Sequence, residues 1–267
     1  MWTRAIWAIF ALPLAATAVT YWRLPAGSTY HFDDSGPVGA ASRAVSYLNF
    51  PVAVAALALL WALCRGPAAL VAAGLCLVAF VPGVVTTDDL TASWANLPAV
   101  IGVGAALWLT LAAPPGRPAP LGRARRLLLA ALVVWSLPWL FAMVGVYADS
   151  VAGGLIRASQ PTPGQPQLAS VHHGLHEGLF GAQLAAAALL VSLVRMRRGL
   201  SLYVSLMLCY GLAVTVQDGW NEQVVKRGWS ATQTPDVLEP AASLAWAGLL
   251  VAAVIVHAAW FSREHRH

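Results

Sequence analysis

Apolar residues run through this chain in stretches too long for a half-buried strand and too uniform for the one-sided stripe of a surface helix. They lie near residues 4–23, 43–64, 67–87, 96–113, 127–149, 171–194, 199–218 and 239–261. Each approaches the roughly 20 residues that carry a helix across the hydrocarbon core of a bilayer. A helix that is apolar all round must be covered by protein or lipid. Eight in succession predict an all-α, polytopic membrane helical bundle of about eight transmembrane helices arranged as helical hairpins. The first run also has the outline of a signal peptide, with Arg4 ahead of it and Ala16-Thr17-Ala18 near its end. Cleavage there would leave seven spans; we read the run as a span.

Two of the runs resemble each other. "SYLNFPVAVAALALLW" (46–61) and "SWANLPAVIGVGAALW" (93–108) share Ser, an aromatic residue, Asn, an apolar residue, Pro and a terminal Trp at matching positions. An Asp-Asp pair precedes each, Asp33-Asp34 and Asp88-Asp89. Serine suits a helix start and proline its first turn, so the match predicts two helix starts of one design. We read 1–267 as a single integral membrane domain. Residues 1–113 form a tandem repeat of two hairpins, 114–126 a basic cytoplasmic loop, and 127–261 a second four-helix half. Copies made of hairpins point the same way, so their symmetry axis would follow the membrane normal.

Composition strengthens the membrane reading. Apolar residues make up 59% of the chain and charged residues 10%, against roughly 25% charged in soluble domains. The net charge of +5 does not imply nucleic acid, because the basic residues stand in short clusters between apolar runs. With the N-terminus inside, the inner side receives eleven of the sixteen Lys and Arg residues, including Arg65, Arg123, Arg125, Arg126, Arg195, Arg197 and Arg198. That asymmetry places both termini in the cytoplasm of a multi-pass protein of the cell membrane. Tryptophans at both levels (Trp22, Trp94, Trp220 and Trp229 outside; Trp2, Trp61, Trp108 and Trp260 inside) read as interfacial anchors. The three cysteines form no CxxC pair, which leaves neither a disulfide framework nor a thiolate zinc site.

The same map sorts the acids. Ten of eleven, among them Asp88, Asp89, Glu177, Asp218, Glu222 and Asp236, fall outside, and Glu264 alone falls inside. They share that side with "SVHHGLHEGLFGAQL" (170–184). At about 100° per residue, His172, His176, His173 and Glu177 occupy ~0°, ~40°, ~100° and ~140° of a helical circumference. Gln183, near ~20°, extends the stripe inward, while Gly174, Gly178 and Gly181 gather at ~180–240° as a ridge for close helix packing. His172 and His176 have the spacing of two metal ligands on one helix. The next run brings Asp218 and Glu222, four apart, and the tight basic turn at 195–198 makes the two runs neighbours.

Imidazole and carboxylate together suit zinc, iron or manganese. The expected centre is a divalent transition metal, zinc foremost, held by His172 and His176 with Asp218, and with His173 and Glu222 as further candidates. Glu177, Asp88 or Asp89 would act as general base toward a metal-bound water. HHxxHE is not the HExxH of zinc proteases, since His173 stands where their glutamate would be. The expected function is a metal-dependent hydrolase acting on a membrane lipid or lipid-linked small molecule. The alternatives are an ion-coupled transporter, or a scaffold whose acidic face docks a membrane-protein partner. No nucleic-acid partner is expected, and His257, at the opposite end, reads as structural.

Overall fold

Three helices begin where the chain supplies a serine or an early proline. Pro67 opens one, Ser93 and Asn96 form a capping box ahead of Pro98, and Ser243 accepts the Trp246 N–H. A computed structural model describes residues 2–23, 36–81, 93–114, 118–143, 177–194, 197–225, 228–238 and 241–261. The α-helices there are α1 (Trp2–Arg23), α2 (Gly36–Tyr47), α3 (Ala53–Leu63), α4 (Pro67–Leu77), α5 (Leu97–Ala112), α6 (Arg123–Met143), α7 (Glu177–Val191), α8 (Arg198–Trp220) and α9 (Leu244–Val256). A π-helical turn, Leu48–Val52, joins α2 to α3 in one 28-residue helix. Each of the eight apolar runs thus holds one helical rod. Six rods are long and apolar enough to cross a membrane, and those at Pro67–Phe80 and Glu177–Val191 are shorter.

Side-chain contacts fix the relative directions. Gly181 meets Gly211 and Thr215 donates to the Gly178 carbonyl (3.2 Å), so α7 and α8 run antiparallel. Tyr210 stacks near Trp246 and Ser201 Oγ lies 3.1 Å from His257 Nδ1, so α9 reverses again. Trp61 covers Gly199, and Arg125 donates to Ser192 Oγ (3.1 Å). Arg65, Arg123, Arg125, Arg126, Arg197 and Arg198 therefore share one end of the bundle. Glu177, Asp218, Glu222 and Asp236 stand at the other. The separation of charge read from sequence holds for the described residues.

At the centre stands α7. Twelve of its fifteen residues are buried, with α8, α6, α3 and α1 around it. Its mean composition is apolar on every side, as a helix enclosed by protein requires. Against α8 the two backbones almost touch. A Cβ on Gly181 would come within 2.7 Å of the Gly211 carbonyl, and one on Gly211 within 2.5 Å of the Gly181 carbonyl. Only glycine at both positions permits that approach, and the α7 ridge predicted at Gly178 and Gly181 is where it occurs. Gly174 lies outside the described residues. By contrast α6 and α9 expose most of their apolar surface, including Leu127, Val134, Val251 and Ile255, which suits helices that border lipid.

Three expectations need correction. Ser46 caps no helix: it sits inside α2 and donates to the Ser42 carbonyl (3.0 Å). Only the second copy of the motif is a helix start; the first lies within a continuous helix whose π-turn holds Pro51 and the buried Asn49. Trp2 is buried rather than displayed as an interfacial anchor, whereas Trp22, Trp94, Trp108 and Trp229 are exposed. The run expected over 199–218 is longer, because α8 continues through Asp218 into a π-helical turn, Asn221–Val225.

Gly181→Val should overpack the α7–α8 contact and destabilise the full chain by about 1–3 kcal/mol or more. Gly104→Ala, where a Cβ meets nothing within 4 Å, should be neutral or slightly stabilising. Thermal melts of both variants in the same detergent check the pair.

Candidate functional site

The acidic end of α8 presents two different faces. Gly211, Thr215 and Asp218, at spacings of four and three, look toward α7, and Glu222 follows in the π-helical turn. Tyr210, Gln217 and Asn221 form a second stripe, which binds the segment 228–238. Gln217 Nε2 donates to Asp236 Oδ1 (3.0 Å) and its Oε1 accepts from the Val237 N–H (2.8 Å). The Tyr210 hydroxyl donates to the Leu238 carbonyl (2.9 Å), and the Trp220 indole to that of Thr232 (2.8 Å). This strap satisfies backbone groups of an irregular segment beside a membrane helix, where unpaired ones are costly. It also fixes the second face of α8.

On the first face, Asp218 and Glu222 are buried. The Asp218 carboxylate is lodged over Gly178: a Cβ there would run into its Oδ2 and come within 2.9 Å of Trp139 Cζ2. One helical turn of α7 thus uses its glycines for two purposes, Gly181 for backbone contact and Gly178 to house a carboxylate. Trp135 packs over Gly219, its ring within 2.5 Å of where a Cβ would stand. Glu177 is the first residue of α7, immediately before Gly178, and suits the positive end of the helix dipole.

The opposite flank of α7 carries Gln183, about 140° round from Gly178. Both ends of its amide are engaged: Oε1 accepts from the Tyr47 hydroxyl (2.6 Å) and Nε2 donates to the Ile9 carbonyl (2.7 Å). The reason lies four residues downstream in α1. Pro13 has no N–H, so the Ile9 carbonyl loses its helical partner, and Gln183 supplies one. A second tie, the Trp7 indole donating to Thr110 Oγ1 (2.9 Å), holds α1 to α5.

Of the residues singled out from sequence, Glu177, Asp218 and Glu222 are brought to one end of the α7–α8 seam. His172, His173, His176, Asp88 and Asp89 lie outside the described residues. Among the described residues no three His, Cys, Asp or Glu side chains converge as metal ligands. His257, with Nδ1 beside Ser201, is engaged within the α8–α9 packing. Trp135, Trp139 and Tyr47 were not expected at the site. A lone glutamine inside an apolar run was the available signal for Tyr47, because such a group must find partners. Comparison with protein-family models, curated proteins and solved structures gave no match.

Gln183→Leu leaves the Tyr47 hydroxyl and the Ile9 carbonyl without their partner, and should cost about 1–3 kcal/mol. Adding Pro13→Ala restores an N–H for Ile9 and should recover part of that loss. Chemical or thermal unfolding of the single and double variants measures both effects.

Proposed function

We propose that this multi-pass membrane protein carries a divalent-metal centre where the head of α7 meets the acidic end of α8, and that it hydrolyses a lipid or lipid-linked substrate there. The observation that carries the reading is the Asp218 carboxylate seated against Gly178, two residues from His176 in sequence. Carboxylates are rarely buried at the end of a membrane helix, and Asp218 and Glu222 both are. A bound cation offsets the cost of such burial, and ionisable groups at membrane depth mark functional sites by default. The ligands in this reading are His172, His176 and Asp218, with His173 and Glu222 as further candidates. Glu177, or else Asp88 or Asp89, serves as general base. Zinc is the expected metal, and its part is to lower the pKa of a bound water toward neutrality.

The acidic end faces outward and both termini lie in the cytoplasm of the cell membrane, as the arginine distribution directs. Cysteine placed at Ser230 should then label with an impermeant reagent on intact cells, and cysteine at Gly122 should not. Labelling at Gly122 alone would turn the site to the cytoplasm.

Elemental analysis of protein purified at neutral pH without chelator should find about one transition metal per chain, as for single-centre sites. His172→Ala, His176→Ala and Asp218→Asn should each lower occupancy, with His257→Ala unchanged. Ligating imidazoles must be neutral, so occupancy should fall as pH drops through about 6.5. Metal-free wild-type protein under these conditions would end the hydrolase reading.

A further inference from the structure

We propose that the arginine-bearing end of α6 is a binding site for an anionic phospholipid, with the headgroup phosphate on Arg123 and Arg126 and an acyl chain along the helix below them. Three arginines occupy the first turn of α6, and no acid accompanies them. Cations there oppose the positive end of the helix dipole, so they do not serve helix stability. Arg125 has a packing role: it donates to Ser192 Oγ and lies 5.4 Å from the Phe261 ring centroid. Arg123 and Arg126 are exposed. Arg197 and Arg198, also exposed, open α8 at the same end and add to the positive field.

Register chooses the partner. Leu127, Val134 and Phe141 follow Arg123 at spacings of four, eleven and eighteen, on one stripe of the helix. All three are exposed, at 62%, 65% and 51%. The guanidinium at the top and the open apolar stripe beneath it match the two parts of one amphiphile. A nucleic acid or an acidic peptide would use the arginines and leave the stripe idle. Guanidinium binds phosphate through paired N–H donors, and basic clusters at this depth attract anionic headgroups.

The test uses the full chain in a neutral detergent and native mass spectrometry with added phosphatidylglycerol, phosphatidylcholine or inorganic phosphate. Phosphatidylglycerol should be retained at least about tenfold better than phosphatidylcholine, with no adduct from inorganic phosphate. R123Q/R126Q should abolish that preference, while R123K/R126K should keep a weakened form of it. Val134→Gln, which leaves the arginines intact, should also weaken retention by making the stripe polar. Equal retention of the two lipids, an unchanged preference in R123Q/R126Q, or displacement of phosphatidylglycerol by an equimolar oligonucleotide would each overturn the proposal. Should R123Q/R126Q fail to fold, Val134→Gln and the lipid comparison on wild-type protein decide it.

Discussion

The backbone contact between Gly181 and Gly211 is the constraint from which the rest of the acidic end follows. Helices in lipid gain little from burying apolar side chains against each other, so close packing and polar ties must hold them. With no side chain between them, α7 and α8 approach closely enough for Thr215 to reach the Gly178 carbonyl and for Asp218 to fill the space over Gly178. A larger residue at either crossing point would move the helices apart and withdraw that carboxylate from the head of α7. The site depends on an absence of side chains at one crossing.

A second constraint fixes the rotation of α7. A glycine contact alone does not fix a helix about its own axis, but Gln183 is held on the far flank between Tyr47 and the Ile9 carbonyl. The break that Pro13 makes in α1 is thereby coupled to the orientation of Glu177 and Gly178, although Pro13 is remote from both in sequence. Glycine on one flank and glutamine on the other leave α7 a single seating. The strap over Gln217 and Asn221 does the same for α8.

Much of this was legible in the sequence, and the limits have physical causes. The rods, the segregation of arginine from acid, the α7–α8 pairing and the glycine ridge follow from run length, charge and helical period, all of which are local properties. Asp218 was legible as a candidate but its flank was not. Periodicity gives angles around one helix and says nothing of how its neighbour is rotated. The repeat misled at Ser46 for a related reason: matching residues at 46–51 and 93–98 do not reveal that one copy continues an earlier helix, Gly36–Tyr47, and the other begins a new one. The small residues of 36–42 carry too weak an apolar signal to announce that extension. Pro13 and Gln183 were each visible, yet their pairing across 169 intervening positions was not.

The seating of α7 can be measured directly by solid-state NMR on isotope-labelled protein in lipid bilayers. Through-space cross-peaks are expected between the Gly181 carbonyl carbon and Gly211 Cα, and between Gln183 Cδ and Tyr47 Cζ. A Gln183 side chain correlated with Gly211, and no contact between Gly181 and Gly211, would show α7 turned the other way and contradict the account.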